Sequence, residues 1–183
     1  METRLEPLEK PAFPLNMAYI FSKLKFGKVL SPLKIVYSRL PLAFGLFANK
    51  ISSLEKKMVL DKELVYLIRH RVAQINVCSF CMDIGVAIAM KDRMHEEKFA
   101  ELEDYRTSSV FSLREKAAIQ FAEELTKYKK IEHGTFEQAK KLFNPTELAE
   151  IAWTVATEHY YNMVNLAFEI ESDQLCQLQV RVK

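Results

Sequence analysis

The sequence predicts an all-α protein, on three observations. Only four glycines (Gly27, Gly45, Gly85, Gly134) occur in 183 residues, and no Asn-Gly or Asp-Gly pair separates alternating apolar runs, so the usual hairpin turns are missing. Helix-start signals recur at Ser31-Pro32, Asp61, Ser112 to Glu115, Thr135 to Gln138 and Asn144 to Glu147. Between them, apolar residues return at spacings of three and four.

Taken in order, Pro7, Pro11 and Pro14 make residues 1–13 an extended arm, because proline fixes φ and removes a donor. Residues 14–172 then form one all-α domain and 173–183 a tail, where Val180 and Val182 alternate with polar residues. Leu15 to Phe26 is a short apolar and basic helix. Ser31-Pro32 opens another that must end or kink before Pro41, which restarts a helix through about Lys57. Asp61 caps the helix from Lys62 to Asn76, whose buried stripe is Leu64, Leu67, Ile68 and Ile75. The next helix runs on through Ala89, with Cys78 or Ser79 as its cap. Asp92 to Tyr105 reads as an amphipathic surface helix. Ser112 to Glu115 is a capping box ahead of Ala118, Phe121, Ala122, Leu125 and Tyr128. Thr135 to Gln138 is a second box, opening a helix that ends near Phe143, and Asn144 to Glu147 a third, launching the central helix from Pro145 to about Glu169.

At 49% hydrophobic and 27% charged residues the chain suits one domain with a real core. A net charge of +2 with interspersed signs gives no concentrated basic patch, so nucleic acid is set aside. The N-terminus has mixed charge and no long apolar stretch, and the run from Leu40 to Ala48 is too short to cross a bilayer, so no membrane is expected and the location is expected to be cytoplasmic. Three cysteines, two of them in one C-x-x-C pair, fit a reducing compartment.

That pair, Cys78 and Cys81, sits at the head of a helix, where free amides and the positive end of the dipole favour a thiolate. One turn separates the sulfurs, close enough for a disulfide, which is the layout of an attacking and a resolving thiol. Two blander readings stand beside it: half of a zinc site, against which the scattered His70, His95, His133 and His159 supply no second ligand pair, and two small buried hydrophobes. No metal or cofactor is expected. Cys176 reads as a bystander, and Met82 and Met90 as packing.

The segment Arg71-Val72-Ala73-Gln74-Ile75-Asn76-Val77-Cys78-Ser79-Phe80-Cys81-Met82-Asp83 resembles the signature of the carboxymuconolactone decarboxylase and alkyl hydroperoxidase D-like (AhpD-like) family. Ser112 to Leu125 and Leu148 to Leu166 resemble its later helices, so that the likeness covers roughly residues 30 to 172. The resemblance implies an AhpD-like helical bundle that assembles into a homo-oligomer (dimer, trimer or hexamer), and a redox dithiol that reduces peroxides or exchanges with a thiol or disulfide protein partner. In that family the second cysteine is usually the one attacking the peroxide.

Two positions depart from the pattern. Peroxidase members carry a histidine four residues after the second cysteine and a glutamate twelve before the first, and here those places hold Gly85 and Tyr66. Glycine has no side chain, and tyrosine, with a reference pKa of about 10, is a poor base at neutral pH. Glu63, Tyr66 and His70 fall at i, i+3 and i+7 in a polar stripe opposite the buried one, and its continuation reaches Cys78. His70 is the first candidate to move a proton, the alternative being an exposed or core-edge histidine between Arg69 and Arg71. His159 could approach from the central helix, though a structural role is favoured, and Asp83 is read as structural, turned toward a basic group. The aromatic residues Tyr160, Tyr161 and Phe168 with Phe80 could wall an apolar pocket. Two functions follow: a thiol-dependent oxidoreductase of the alkylhydroperoxidase or peroxiredoxin-like kind acting on a peroxide or other small molecule, and, as the alternative, a lactone decarboxylase or a non-redox homo-oligomer binding a small ligand.

Overall fold

The structure is a computed structural model that describes residues 3–11, 13 and 15–176. Among the described residues eight α-helices follow one another: α1 (Leu15–Phe26), α2 (Asn49–Glu55), α3 (Lys62–Ile75), α4 (Ser79–Lys91), α5 (Glu96–Ala100), α6 (Leu113–Tyr128), α7 (His133–Leu142) and α8 (Pro145–Ala167). Two π-helical stretches, Leu33–Tyr37 and Ala43–Ala48, lie between α1 and α2, broken at the residue before Pro41 as that proline demands. No strand occurs among the described residues, so the all-α expectation holds.

Helix α3 is the axis, packed against α4, α6 and α8. It is apolar on more than one side, which a surface helix is not. Leu64, Ile68 and Val72 join Ala118, Phe121 and Ala122 of α6 and Ile151 and Val155 of α8 in the main core. Leu67 turns the other way, to Ala89 of α4 and Phe99 of α5. Ala73 belongs to a third cluster, the one that holds the cysteines. Ile75, expected in the buried stripe, is only half-buried.

The local caps form where no other helix engages the N-cap side chain itself. Asp61 accepts from the Leu64 amide at 3.1 Å, and Ser112/Glu115 and Asn144/Glu147 close reciprocal boxes, each worth about 1 kcal/mol. The box expected at Thr135 does not form. Its hydroxyl donates to Glu124 of α6 at 2.6 Å, while the other Glu124 oxygen accepts from the Glu132 amide at 2.9 Å, so α7 starts earlier, at His133, under a carboxylate from another helix. The expected helix from Asp92 to Tyr105 is also corrected. Arg93 turns left-handed (φ 58°), leaving α5 and a 3₁₀ turn (Leu102–Asp104) that bury Phe99, Leu102 and Tyr105 instead of lying on the surface.

With so few glycines, helices end on left-handed residues that carry side chains: Val77 after α3, Arg93 after α4, Lys129 after α6 and Glu169 after α8. The arm is pinned to the body. Its Arg4 amide bonds the Phe168 carbonyl at 3.2 Å, its Leu8 amide the Lys34 carbonyl at 3.0 Å, and Glu9 pairs with Lys34 at 2.9 Å. At the other end Asp173 is buried, accepts from the Ser31 amide at 2.8 Å and pairs with Lys28 at 2.9 Å. The alternation at Val180 and Val182 lies outside the described residues. No helix among the described residues is long and apolar enough to cross a membrane.

Candidate active site

The turn between α3 and α4 builds the dithiol. Asn76 ends α3, Val77 turns left-handed at φ 57°, the Val77 amide bonds the Gln74 carbonyl at 3.1 Å and the Cys78 amide the Ala73 carbonyl at 3.0 Å. These two bonds make a Schellman closure, in which the left-handed place is normally glycine. A β-branched residue there stores roughly 1–2 kcal/mol of strain. The turn sets Cys78 in extended conformation as the N-cap of α4, with its Sγ accepting from the Cys81 amide at 3.4 Å. Cys78 and Cys81 are joined in a disulfide with Cα atoms 5.3 Å apart. Both are buried, at 1% and 7% exposure, among Ile35, Val36, Phe80 and Ile170, with Leu5 of the arm and Phe168 packed against them.

The stripe of Glu63, Tyr66 and His70 is not a solvated face, because α4 and α5 fold back over it. Glu63 accepts from the His95 amide at 3.0 Å and pairs with His95 at 2.8 Å and Lys98 at 3.5 Å. Burial works against its charge, but these partners hold its carboxyl below the usual value. Twelve residues at 1.5 Å rise put it about 18 Å along α3 from Ile75, and the structure does not bring it to the cysteines. Tyr66 packs with Leu67, Phe99 and Tyr105, and burial raises its phenol. His70 is buried edge-on to Phe99 with ring centroids 5.6 Å apart, and its Nδ1 has no hydrogen-bond partner. Burial lowers its pKa to about 4, so the ring is neutral at pH 7. A Cβ on Gly85 would stand 3.7 Å from that Nδ1. An imidazole from α3 therefore comes up against the position where the family resemblance expects a histidine on α4.

The side chain that hydrogen-bonds a sulfur comes from α8. Asn165 Nδ2 donates to Cys81 Sγ at 3.3 Å. One turn back, Asn162 Nδ2 donates to Glu158 at 2.6 Å and its Oδ1 accepts from Asn76 Nδ2 at 2.8 Å, while His159 Nδ1 meets that same Asn76 nitrogen at 3.3 Å. Beside Glu158, Arg69 pairs with Glu55. Burial pushes Glu158 up to about 7, although Arg69 and Asn162 favour its charged form. The sequence reading missed Asn76, Glu158, Asn162 and Asn165. A signal was present: 158, 162 and 165 stand at i, i+4 and i+7, a polar line within an apolar helix.

Asp83 turns to the amides of Leu175 (3.0 Å) and Cys176 (3.3 Å), not to a basic group. Cys176 lies beside it, and burial pushes its thiol up to about 11. Phe168 and Phe80 share the cysteine cluster, whereas Tyr160 stacks edge-on with Phe47 at 5.2 Å and Tyr161 at 5.1 Å. Open clefts of about 450 Å³ at Met90 and Phe99, and about 320 Å³ at Leu54 and Trp153, are lined by neither cysteine.

Comparison with known proteins agrees with this architecture. The chain is 27% identical over 180 residues to the Escherichia coli protein YnjA, covering 95% of this chain and 96% of that one. Its fold superposes on the debrominase Bmp8 in complex with 2,3,4-tribromopyrrole at a TM-score of 0.82 and 17% identity, over 99% of this chain and 97% of that one. A peroxidase-related protein with an alkylhydroperoxidase AhpD core from Ralstonia eutropha JMP134 superposes at 0.78 and 17% identity, over 94% of each chain. Residues 42–124, which hold both cysteines, match the model of the carboxymuconolactone decarboxylase family. Both cysteines thus lie in a segment that matches the carboxymuconolactone decarboxylase family, and the all-helical fold, with the C-x-x-C at the head of a core helix, is AhpD-like.

Proposed function

We propose that the protein is a thiol-dependent oxidoreductase whose working groups are Cys78 and Cys81. The observation that carries this reading is that the two cysteines stand one helical turn apart at the N-terminus of α4, already joined as a disulfide. In the reduced enzyme one thiolate attacks a peroxide oxygen. The O–O bond breaks, the alcohol leaves with a proton, and a sulfenic acid remains on that cysteine. The second thiol displaces water from it, forming the Cys78–Cys81 disulfide, and an external dithiol restores both thiols by exchange. On the α3 side His70, with a neutral ring and an unpartnered Nδ1, is the candidate proton acceptor, whereas Glu63 and Tyr66 are held by other partners along that helix and take no part in the step.

The test is a thiol count before and after mild peroxide. Two thiols per chain should be lost and recovered with dithiothreitol, and Cys78→Ser or Cys81→Ser should abolish turnover. Unchanged thiols would favour the decarboxylase or ligand-binding alternative. The likeness to Bmp8, which spans the arm and α1 as well as the bundle, favours a second reading of the same dithiol. A bromoarene and two thiols would give the arene, the disulfide, bromide and a proton. Bromide release from tribromopyrrole, with loss of two thiols, tests it.

We also infer self-association, since Met17, Ile20, Phe21 and Leu24 of α1 and Leu42 and Leu46 ahead of α2 are exposed apolar residues. Light scattering should report a dimer, trimer or hexamer, and a 21.3 kDa species would refute it.

A further inference from the structure

Helix α4 gives its two sulfurs different electrostatic support, and among the described residues only one of them receives a side-chain donor. Cys78 Sγ has the Cys81 amide at 3.4 Å, a contact built into the helix start. Cys81 Sγ has the carboxamide of Asn165 at 3.3 Å, from a residue 84 positions away on α8. Asn165 is buried at 5% exposure. The Ile170 amide bonds the Asn165 carbonyl at 3.1 Å as α8 closes, so the backbone that presents this side chain is fixed.

Resting on the thiol-oxidoreductase reading, we propose that Asn165 is a catalytic residue that makes Cys81 the sulfur held as thiolate, by donating its carboxamide N–H to that sulfur. In the disulfide the N–H meets a neutral sulfur. After reduction it meets a sulfur that can ionise, and a donor favours the charged form of its acceptor. Cys81 then attacks, Cys78 resolves, and the N–H lies beside the charge that returns to Cys81 when an external thiolate opens the disulfide at Cys78.

The titratable groups on the surrounding elements meet other partners, except His70, whose Nδ1 is unpartnered. His70 of α3 faces Gly85, and Asp83 of α4 faces the Leu175 and Cys176 amides. Glu158 and His159 of α8 are tied to Asn162 and Asn76, and Arg4 of the arm pairs with Glu169. None of these hydrogen-bonds a sulfur of the pair among the described residues, which leaves Asn165 as the side chain that does.

The test is the pH profile of iodoacetamide alkylation of the reduced protein, read peptide by peptide in a Cys78→Ser background. Cys81 should ionise below the reference thiol value of about 8.5. Asn165→Ala should raise that midpoint by about one pH unit, a tenfold slower reaction at pH below it. Asn165→Asp keeps the shape but replaces the donor with a negative acceptor, and should raise the midpoint further. Cys176 in the same molecules is the internal control and should not move. A Cys81 midpoint at or above about 8.5 in the parent, which needs no substitution at Asn165, overturns the proposal. So does an unmoved midpoint in variants whose circular dichroism is native, or an equal shift of Cys78 in a Cys81→Ser background. Peroxide turnover is measured separately. Turnover without the Asn165 dependence refutes this assignment alone, and the dependence without peroxide or bromoarene turnover refutes the oxidoreductase reading alone.

Discussion

The two flanks of α3 treat buried polar groups in opposite ways. On the side facing α4 and α5, His70 is buried beside Phe99 with an unpartnered Nδ1 that faces Gly85. On the side facing α8, Arg69 pairs with Glu55, Asn162 donates to Glu158 and accepts from Asn76, and Asn165 carries the polar line on to a sulfur. The difference shows what a buried polar group needs. A neutral imidazole can stay dry at modest cost, whereas carboxylates survive burial only with countercharge and donors around them. The dry flank keeps its titratable group neutral, and the polar flank keeps a carboxyl poised near neutrality.

The largest effect should come from Arg69→Met. It leaves Glu55 and Glu158 without their shared cation and should cost about 3 kcal/mol at pH 7, read by urea unfolding. Acidification, which protonates Glu158, should recover part of the loss. A cost under about 1 kcal/mol would mean that the pair behaves as a surface ion pair.

Glu158→Gln comes next and sharpens the contrast through pH. Glu158 rises from about 4.5 to about 7 on folding, so its stabilising protonated form is fully present below pH 4.5 and is lost as pH rises through 7. His70 falls from 6.5 to about 4, so its contribution is present above 6.5 and is lost as pH falls toward 4. The two slopes oppose one another between pH 4.5 and 6.5. Glutamine should therefore stabilise the protein by roughly 2 kcal/mol above pH 7 and uncover a loss of stability on acidification that the parent conceals. Parallel profiles for parent and variant would show that Glu158 does not titrate in this range.

Smaller effects follow at the turn and on the dry flank. Val77→Gly should add about 1 kcal/mol by relieving the left-handed valine. Unchanged stability with altered peroxide turnover would instead assign the strain to function. Gly85→Ala should stabilise by roughly 0.5 kcal/mol, since its methyl group would meet His70 at an ordinary 3.7 Å and alanine favours the helix. Gly85→His must displace the His70 ring, and a thermal melt should show destabilisation where alanine shows a gain.

By itself the sequence determined what depends on near neighbours. The caps at Asp61, Ser112 and Asn144, the break before Pro41, and the dithiol at the head of α4 all involve residues within about one helical turn, where spacing alone fixes the geometry. Tertiary structure decided the rest. Thr135 lost its capping role to Glu124 on another helix, and the stripe of Glu63, Tyr66 and His70 was buried because α4 and α5 fold over it. Asn165 reached Cys81 across 84 residues, and Asn76 reached Asn162 across 86. Helical periodicity tells which residues share a face. Which neighbour covers that face is set by the packing of whole helices, where a side chain's partner is chosen by burial and not by its distance along the chain.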